Sequence, residues 1–145
     1  MIGGSKAGSN GEAAMPRYAR TAERARVLDR YPDYAVDLVP VGGRFVAAVD
    51  GTVIAETTRA LEVHESFHTP VVYFPEDAVR PGALERTDHH TRCPFKGDAS
   101  YFALLVDGRR FENAVWSYED PMEEVAGLAG HVAFYPDHVR VHRED

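Results

Sequence analysis

Two Asp-Gly dipeptides constrain this chain more than any other feature. Asp50-Gly51 separates the β-forming runs 44–49 and 52–56, and Asp107-Gly108 separates 99–106 from 111–118. Asp and Gly both tolerate the positive φ that tight hairpin turns require. Other short apolar runs stand between turn residues. They are 36–41 before Gly42-Gly43, 60–63, 71–74 before Pro75, and 131–134 with 138–142 as a last hairpin around Tyr135-Pro136-Asp137. Within this β-rich body helix is confined to one turn at 76–79 and a short segment at 122–128, behind Pro121, with Glu123 and Glu124 near its positive end. Short strands at regular spacing predict a mainly β protein, either a barrel or two packed antiparallel sheets with minor helices.

The ends of the chain differ from this body. Residues 1–15 are rich in Gly, Ser, Ala and Asn, and read as a disordered tail. Residues 16–30 place Tyr18, Ala22, Ala25 and Leu28 among charges after Pro16, which suits a short amphipathic helix. Residues 31–145 then form a single domain. A chain of 145 residues can bury a core of its own. Its net charge of −7 argues against binding nucleic-acid polymers, which needs basic patches. The single cysteine excludes an internal disulfide and suits a cytoplasmic location. No apolar run approaches a membrane span, so no membrane partner is expected.

The stretch Thr91-Arg-Cys-Pro-Phe-Lys-Gly-Asp-Ala-Ser-Tyr101 is the candidate site. Pro94 and Gly97 make a tight turn, and a strand follows at once. Lys96 is one of only two lysines among sixteen basic residues. In a two-residue hairpin on Asp107-Gly108, Tyr101 faces Ala114 and Trp116 faces Ala99. A four-residue loop also keeps Tyr101 and Trp116 on one face, because strand side chains alternate with period two. The two rings are then either core or the floor of a pocket with Lys96 and Asp98 at its mouth.

Four motifs carry a resemblance. They are Val72-Tyr-Phe-Pro75, Cys93-Pro-Phe-Lys-Gly-Asp-Ala-Ser-Tyr101, Ala114-Val-Trp-Ser-Tyr118 with Pro121, and Ala129-Gly-His-Val-Ala-Phe-Tyr135. Over roughly residues 31–143 the chain resembles the family called domain of unknown function 427, sometimes labelled nucleotidyltransferase-like. The resemblance implies a β-tent: two small antiparallel sheets at a steep angle with a pocket between them. It also puts Glu65 and Tyr73 in a segment that faces that pocket. Relatives of that fold hold zinc through paired Cys-x-x-Cys motifs. This chain has Cys93 alone, so no metal and no cofactor are expected.

The residues leave three functions open. A binding module would take a small planar heterocycle or nucleotide-like ligand on Lys96, Asp98, Tyr101, Trp116, Glu65, Tyr73 and Cys93. A small hydrolase or transferase would use Cys93, His90, Lys96 or Asp98, with His90 lowering the thiol pKa. A structural or protein-interaction domain would use the rings as core. Asp88, His89, His90 and Cys93 have partial metal-ligand spacing, but a complete site would need His64 or His68 from another segment. Nucleotidyl transfer needs metal-holding carboxylates and a phosphate cradle. The chain has neither an Asp-x-Asp nor a Gly-rich loop opening a helix.

Overall fold

The computed structural model describes residues 17–144; the tail read at 1–15 lies outside the described residues. The order is α1 (Arg17–Arg30), β1 (Val36–Pro40), β2 (Arg44–Val49), β3 (Thr52–Thr57), β4 (Leu61–Glu65), β5 (Val71–Pro75), β6 (Leu84–Cys93), β7 (Gly97–Val106), β8 (Arg109–Ser117), β9 (His131–Phe134) and β10 (Arg140–Glu144). Short 3-10 turns occupy Glu76–Ala78 and Glu123–Leu128. The protein is mainly β, with two antiparallel sheets and few short helices. One sheet has seven strands in the order β1-β4-β5-β9-β8-β7-β6, and the other has three, β10-β2-β3.

Strand alternation sends neighbouring residues of the larger sheet into two different cores. On β5, Phe74 joins one core and Tyr73 the other; on β7, Phe102 and Leu104 join the first, and Ala99 and Tyr101 the second. On β9, Val132 and Phe134 flank Ala133 in the same way. The first core is filled from the smaller sheet by Phe45, Ala47, Val49, Ile54 and Ala55. The second gathers Tyr73, Tyr101 and Tyr118 under Met122, Val125 and Leu128. Tyrosine is thus concentrated on one face of the sheet.

Three expectations need correction. The β7–β8 hairpin does turn at Asp107-Gly108 with Val106 opposite Arg109, but the register shifts between Phe102 and Leu104. Asn113 adopts a left-handed φ of 53°, a conformation Asn tolerates, and its side chain accepts a 2.6 Å hydrogen bond from Thr87 Oγ1. The resulting bulge adds two residues to β8, so Tyr101 pairs with Trp116 rather than Ala114. A shift of two preserves the face, which is why the two rings still lie together.

The second correction is β6, a strand absent from the runs read in the sequence. This edge strand is exposed over most of its length, so no apolar alternation marks it. The third is the last hairpin. β9 pairs with β5 and β8, whereas β10 pairs with β2 in the other sheet. The Tyr135-Pro136-Asp137 turn crosses between sheets instead of joining two neighbours. Among the described residues no helix is long and apolar enough to cross a membrane.

Candidate functional site: a tyrosine face around a buried ion pair

Glu65 ends β4, and Lys96 lies in the turn between β6 and β7. Three strands stand between β4 and β7 in the sheet, yet the Lys96 ammonium donates directly to Glu65 Oε1. The sheet therefore curls until these two points meet. Their side chains are each 10% exposed. The Arg110–Glu85 pair, by contrast, is 45% and 55% exposed and stabilises little.

Each partner is held from behind. The Glu65 turn is fastened to the chain before β1, since Ser66 N donates to Ala35 O at 3.0 Å and Ala35 N donates to Ser66 Oγ at 2.9 Å. Tyr34 donates its hydroxyl to Glu65 Oε2 and stacks on Phe95, with centroids 4.5 Å apart. The Arg24 guanidinium of α1 lies 4.8 Å from the other neighbour in this stack, the Phe95 ring. On the Lys96 side, Met122 N donates to Lys96 O at 2.9 Å. Lys96 Nζ also sits 5.8 Å from the Tyr118 ring centroid, a cation–π contact.

Gly97 makes that turn feasible. Its φ is +117°, and a Cβ placed there would stand 3.3 Å from the Asp120 carbonyl oxygen. Gly97→Ala should therefore cost on the order of 1–2 kcal/mol, through backbone strain plus this backbone contact. Urea denaturation would measure it, and an unchanged midpoint would show the turn to be adaptable.

The charges are set by these contacts. Burial alone would push the Glu65 carboxyl up. Hydrogen bonds from Lys96 and Tyr34, with the charges of Lys96 and His68, outweigh burial and hold it below the usual carboxylate range. Burial raises the phenols of Tyr73 and Tyr118 well above their ordinary value, and Glu65 adds to both shifts. Both are neutral hydroxyls across the physiological range. Burial and the neighbouring Tyr101 phenol push Tyr135 up to about 12.

The rings are ordered by specific contacts. Trp116 Nε1 donates to the Tyr73 hydroxyl at 3.0 Å, and the two rings meet edge to face at 6.2 Å. Tyr135 tilts against the other side of Trp116, at 4.7 Å. Tyr101 shares a 2.8 Å hydrogen bond with Thr91 Oγ1, and the His89 ring lies 4.6 Å from its ring.

Of the residues singled out in the sequence, Glu65, Tyr73, Cys93, Lys96, Tyr101 and Trp116 come together on this face. Asp98 does not. It lies between Gly97 and Ala99 on β7, so alternation turns it to the face opposite Tyr101. The pairing of Cys93 with His90 also fails. In the regular register from Cys93↔Gly97 to His90↔Ser100 the two are three residues apart, hence on opposite faces. Among the described residues no three His, Cys, Asp or Glu side chains converge as a metal site would require.

Tyr34, Tyr118 and Tyr135 were not among the site residues expected from the sequence. Tyr118 carried a usable signal, being two residues beyond Trp116 and therefore on the same face. Tyr34 carried none, because it precedes β1 in irregular chain. Two open hollows lie elsewhere on the described surface. One, of about 400 Å³, adjoins the Asp107-Gly108 turn, and the other, of about 690 Å³, adjoins Asp50-Gly51 and β10. Neither includes a residue of the tyrosine face.

A family model described as Domain of unknown function (DUF427) matches residues 37–145. The chain belongs to this family. The match spans every residue of the tyrosine face from Glu65 to Tyr135, while Tyr34 and α1 precede it. In this DUF427 protein, the second hydrogen bond to Glu65 thus comes from outside the matched segment. No curated protein matches the chain.

Proposed function

We propose that this DUF427 protein is a cytoplasmic small-ligand binding module, and that its site is the tyrosine face beside the Glu65–Lys96 pair. The ligand is a planar heterocycle or a nucleotide-like molecule. One observation carries this reading: a buried ion pair stands among neutral phenols on one face of the larger sheet. Stability alone does not call for such a pair. Well-packed apolar residues of similar volume often serve a fold as well or better than buried charges. Perturbed titratable groups held together by specific partners are a recognised mark of a functional site. The rings offer a stacking surface, and the hydroxyls and Lys96 offer orientation.

The enzyme reading has less behind it, because the geometry separates Cys93 from His90. A nucleophile needs a base within hydrogen-bond reach.

Trp116 is the only tryptophan in the chain, so intrinsic indole fluorescence reports on this face alone. Nucleobases, nucleosides and nucleoside monophosphates titrated one at a time should include members that shift or quench it saturably. A panel that leaves the emission unchanged, with no effect on melting temperature, would remove the binding reading.

A further inference from the structure

We infer that the hollow beside β10 is a second ligand site, for a neutral molecule with an apolar ring and one N–H or O–H donor, and that His142 Nδ1 accepts that donor. The site lies on the smaller sheet, shares no lining residue with the tyrosine face and does not depend on it. Two observations meet there. Among the described residues, His142 Nδ1 is the one buried side-chain nitrogen or oxygen without a hydrogen-bond partner. The same His142 lines the hollow of about 690 Å³, a volume within the usual range for small-ligand sites.

Strand parity builds the floor of this hollow. Phe45, Ala47 and Val49 of β2 and Val141 of β10 face the first core. Alternation therefore turns Val46, Ala48 and His142 to the outer side of the smaller sheet, where His142 stands opposite Val46. Val53 of β3 stands opposite Ala48 and is 43% exposed. Val46, Ala48 and Val53 line the hollow together with Pro136, from the turn that crosses between the sheets. A ring laid on this floor removes from water a valine that the fold leaves open.

The polarity of the ligand follows from the imidazole. Nε2 of His142 lies 3.1 Å from Glu144 Oε2, on the same side of β10. A carboxylate can only accept, so Nε2 carries the proton, and in the neutral ring Nδ1 is left as a bare acceptor. A buried acceptor without a donor is costly. The side chain is 30% exposed and is tied through Nε2, so a tilt about that bond brings Nδ1 toward a ligand in the hollow. The charge of the ligand follows from the rim. Asp50 is paired with Arg109, and Glu144 with Arg44. The other two charged lining residues, Asp137 and Arg140, are one of each sign. The rim therefore calls for no net charge, and Nδ1 calls for a donor.

The test uses phenol and anisole, which share a ring and differ in the donor, and benzylammonium, a donor that carries charge. Binding to the full nitrogen-15-labelled chain is followed at about pH 8, above the ordinary histidine range and below that of phenol. The reporters are the His142 ring nitrogens and the Ala48 and Val53 amides, all outside the tyrosine face. Phenol should move them saturably, and anisole should be weaker by about tenfold or more. Benzylammonium should bind no more tightly than phenol. His142→Phe keeps a ring on β10 but no acceptor, and should weaken phenol by about tenfold or more at the two amides.

Anisole binding as tightly as phenol would overturn the inference, since the donor would then be idle. So would benzylammonium binding more tightly than phenol, or an unchanged phenol affinity in His142→Phe. Phenol that leaves the His142 nitrogens and both amides unmoved overturns it outright. The comparison of phenol with anisole is made on the wild type, so it decides the matter even if the variant proves unstable.

Discussion

Lys96→Met should destabilise the fold by about 3–5 kcal/mol, the usual cost of removing one partner of a buried ion pair. The ammonium is the group that holds Glu65 ionised in a site only 10% exposed. Without it the carboxylate keeps the Tyr34 hydrogen bond and loses its counter-charge. Chemical denaturation at neutral pH would measure the loss. The double variant Lys96→Met, Glu65→Leu should recover most of it, because no charge is then left buried. A loss below about 1 kcal/mol in the single variant would mean that the pair behaves as a surface contact.

The pH dependence follows with a definite sign. In the wild type the folded pKa of Glu65 lies below its unfolded value of about 4.3. The pair's contribution is therefore complete above that unfolded value and is lost as pH falls through the folded one. In Lys96→Met, burial dominates Glu65 and protonation becomes favourable in the folded state. The stability gap between the two proteins should narrow on acidification. A gap that stays constant from neutral pH into the acid range would show that the loss comes from packing of the lysine stem.

The same double variant separates a binding role from a purely mechanical one. Glu65 and Lys96 join β4 to the β6–β7 turn, so the pair also acts as a clasp on the curled sheet. If the clasp is its whole role, the recovered double variant keeps its planar-ligand affinity. If the pair helps to orient ligand, the variant is stable and binds poorly.

How much of this was legible in the sequence depended on how local each cause was. The Asp-Gly turns act over a few residues, and both hairpins formed on them. The joint placement of Tyr101 and Trp116 survived an unforeseen bulge only because two residues were added and not one. The bulge itself depends on Thr87 reaching Asn113 from another strand, a contact 26 residues apart along the chain. No local pattern announces it. β6 was unreadable for a related reason, since an exposed edge strand has no buried side to print a period-two pattern. Its recognition would have settled the Cys93–His90 question at once, because strand parity separates residues three apart. Glu65 and Lys96 were each singled out, Glu65 through the family resemblance and Lys96 through its position in the central turn. Their pairing needed the curl of a seven-stranded sheet, which no segment encodes alone. The partition of Tyr and Phe was legible in principle: Tyr73-Phe74 and Tyr101-Phe102 each place the hydroxylated ring on one side and the apolar ring on the other.

That partition makes Trp116 the residue whose loss should be felt most in binding. Trp116→Ala should weaken any planar ligand of this face by about 2–4 kcal/mol, the range of aromatic anchors at the centre of a contact. The indole has two functions there. It offers its surface to the ligand, and it fixes Tyr73 by donating Nε1–H to the phenol at 3.0 Å. Removal takes away the stacking area and frees Tyr73 to turn, so the loss should exceed that from area alone. Trp116→Phe separates the contributions: it keeps an aromatic ring but no donor, and should fall between wild type and Trp116→Ala. Titration calorimetry with a ligand found by the fluorescence panel gives the numbers, since the variants lack the indole signal. Thermal melts of the unliganded proteins check the fold. If Trp116→Ala binds within about twofold of wild type while remaining folded, the ring is packing for the sheet, and the ligand must contact a different surface.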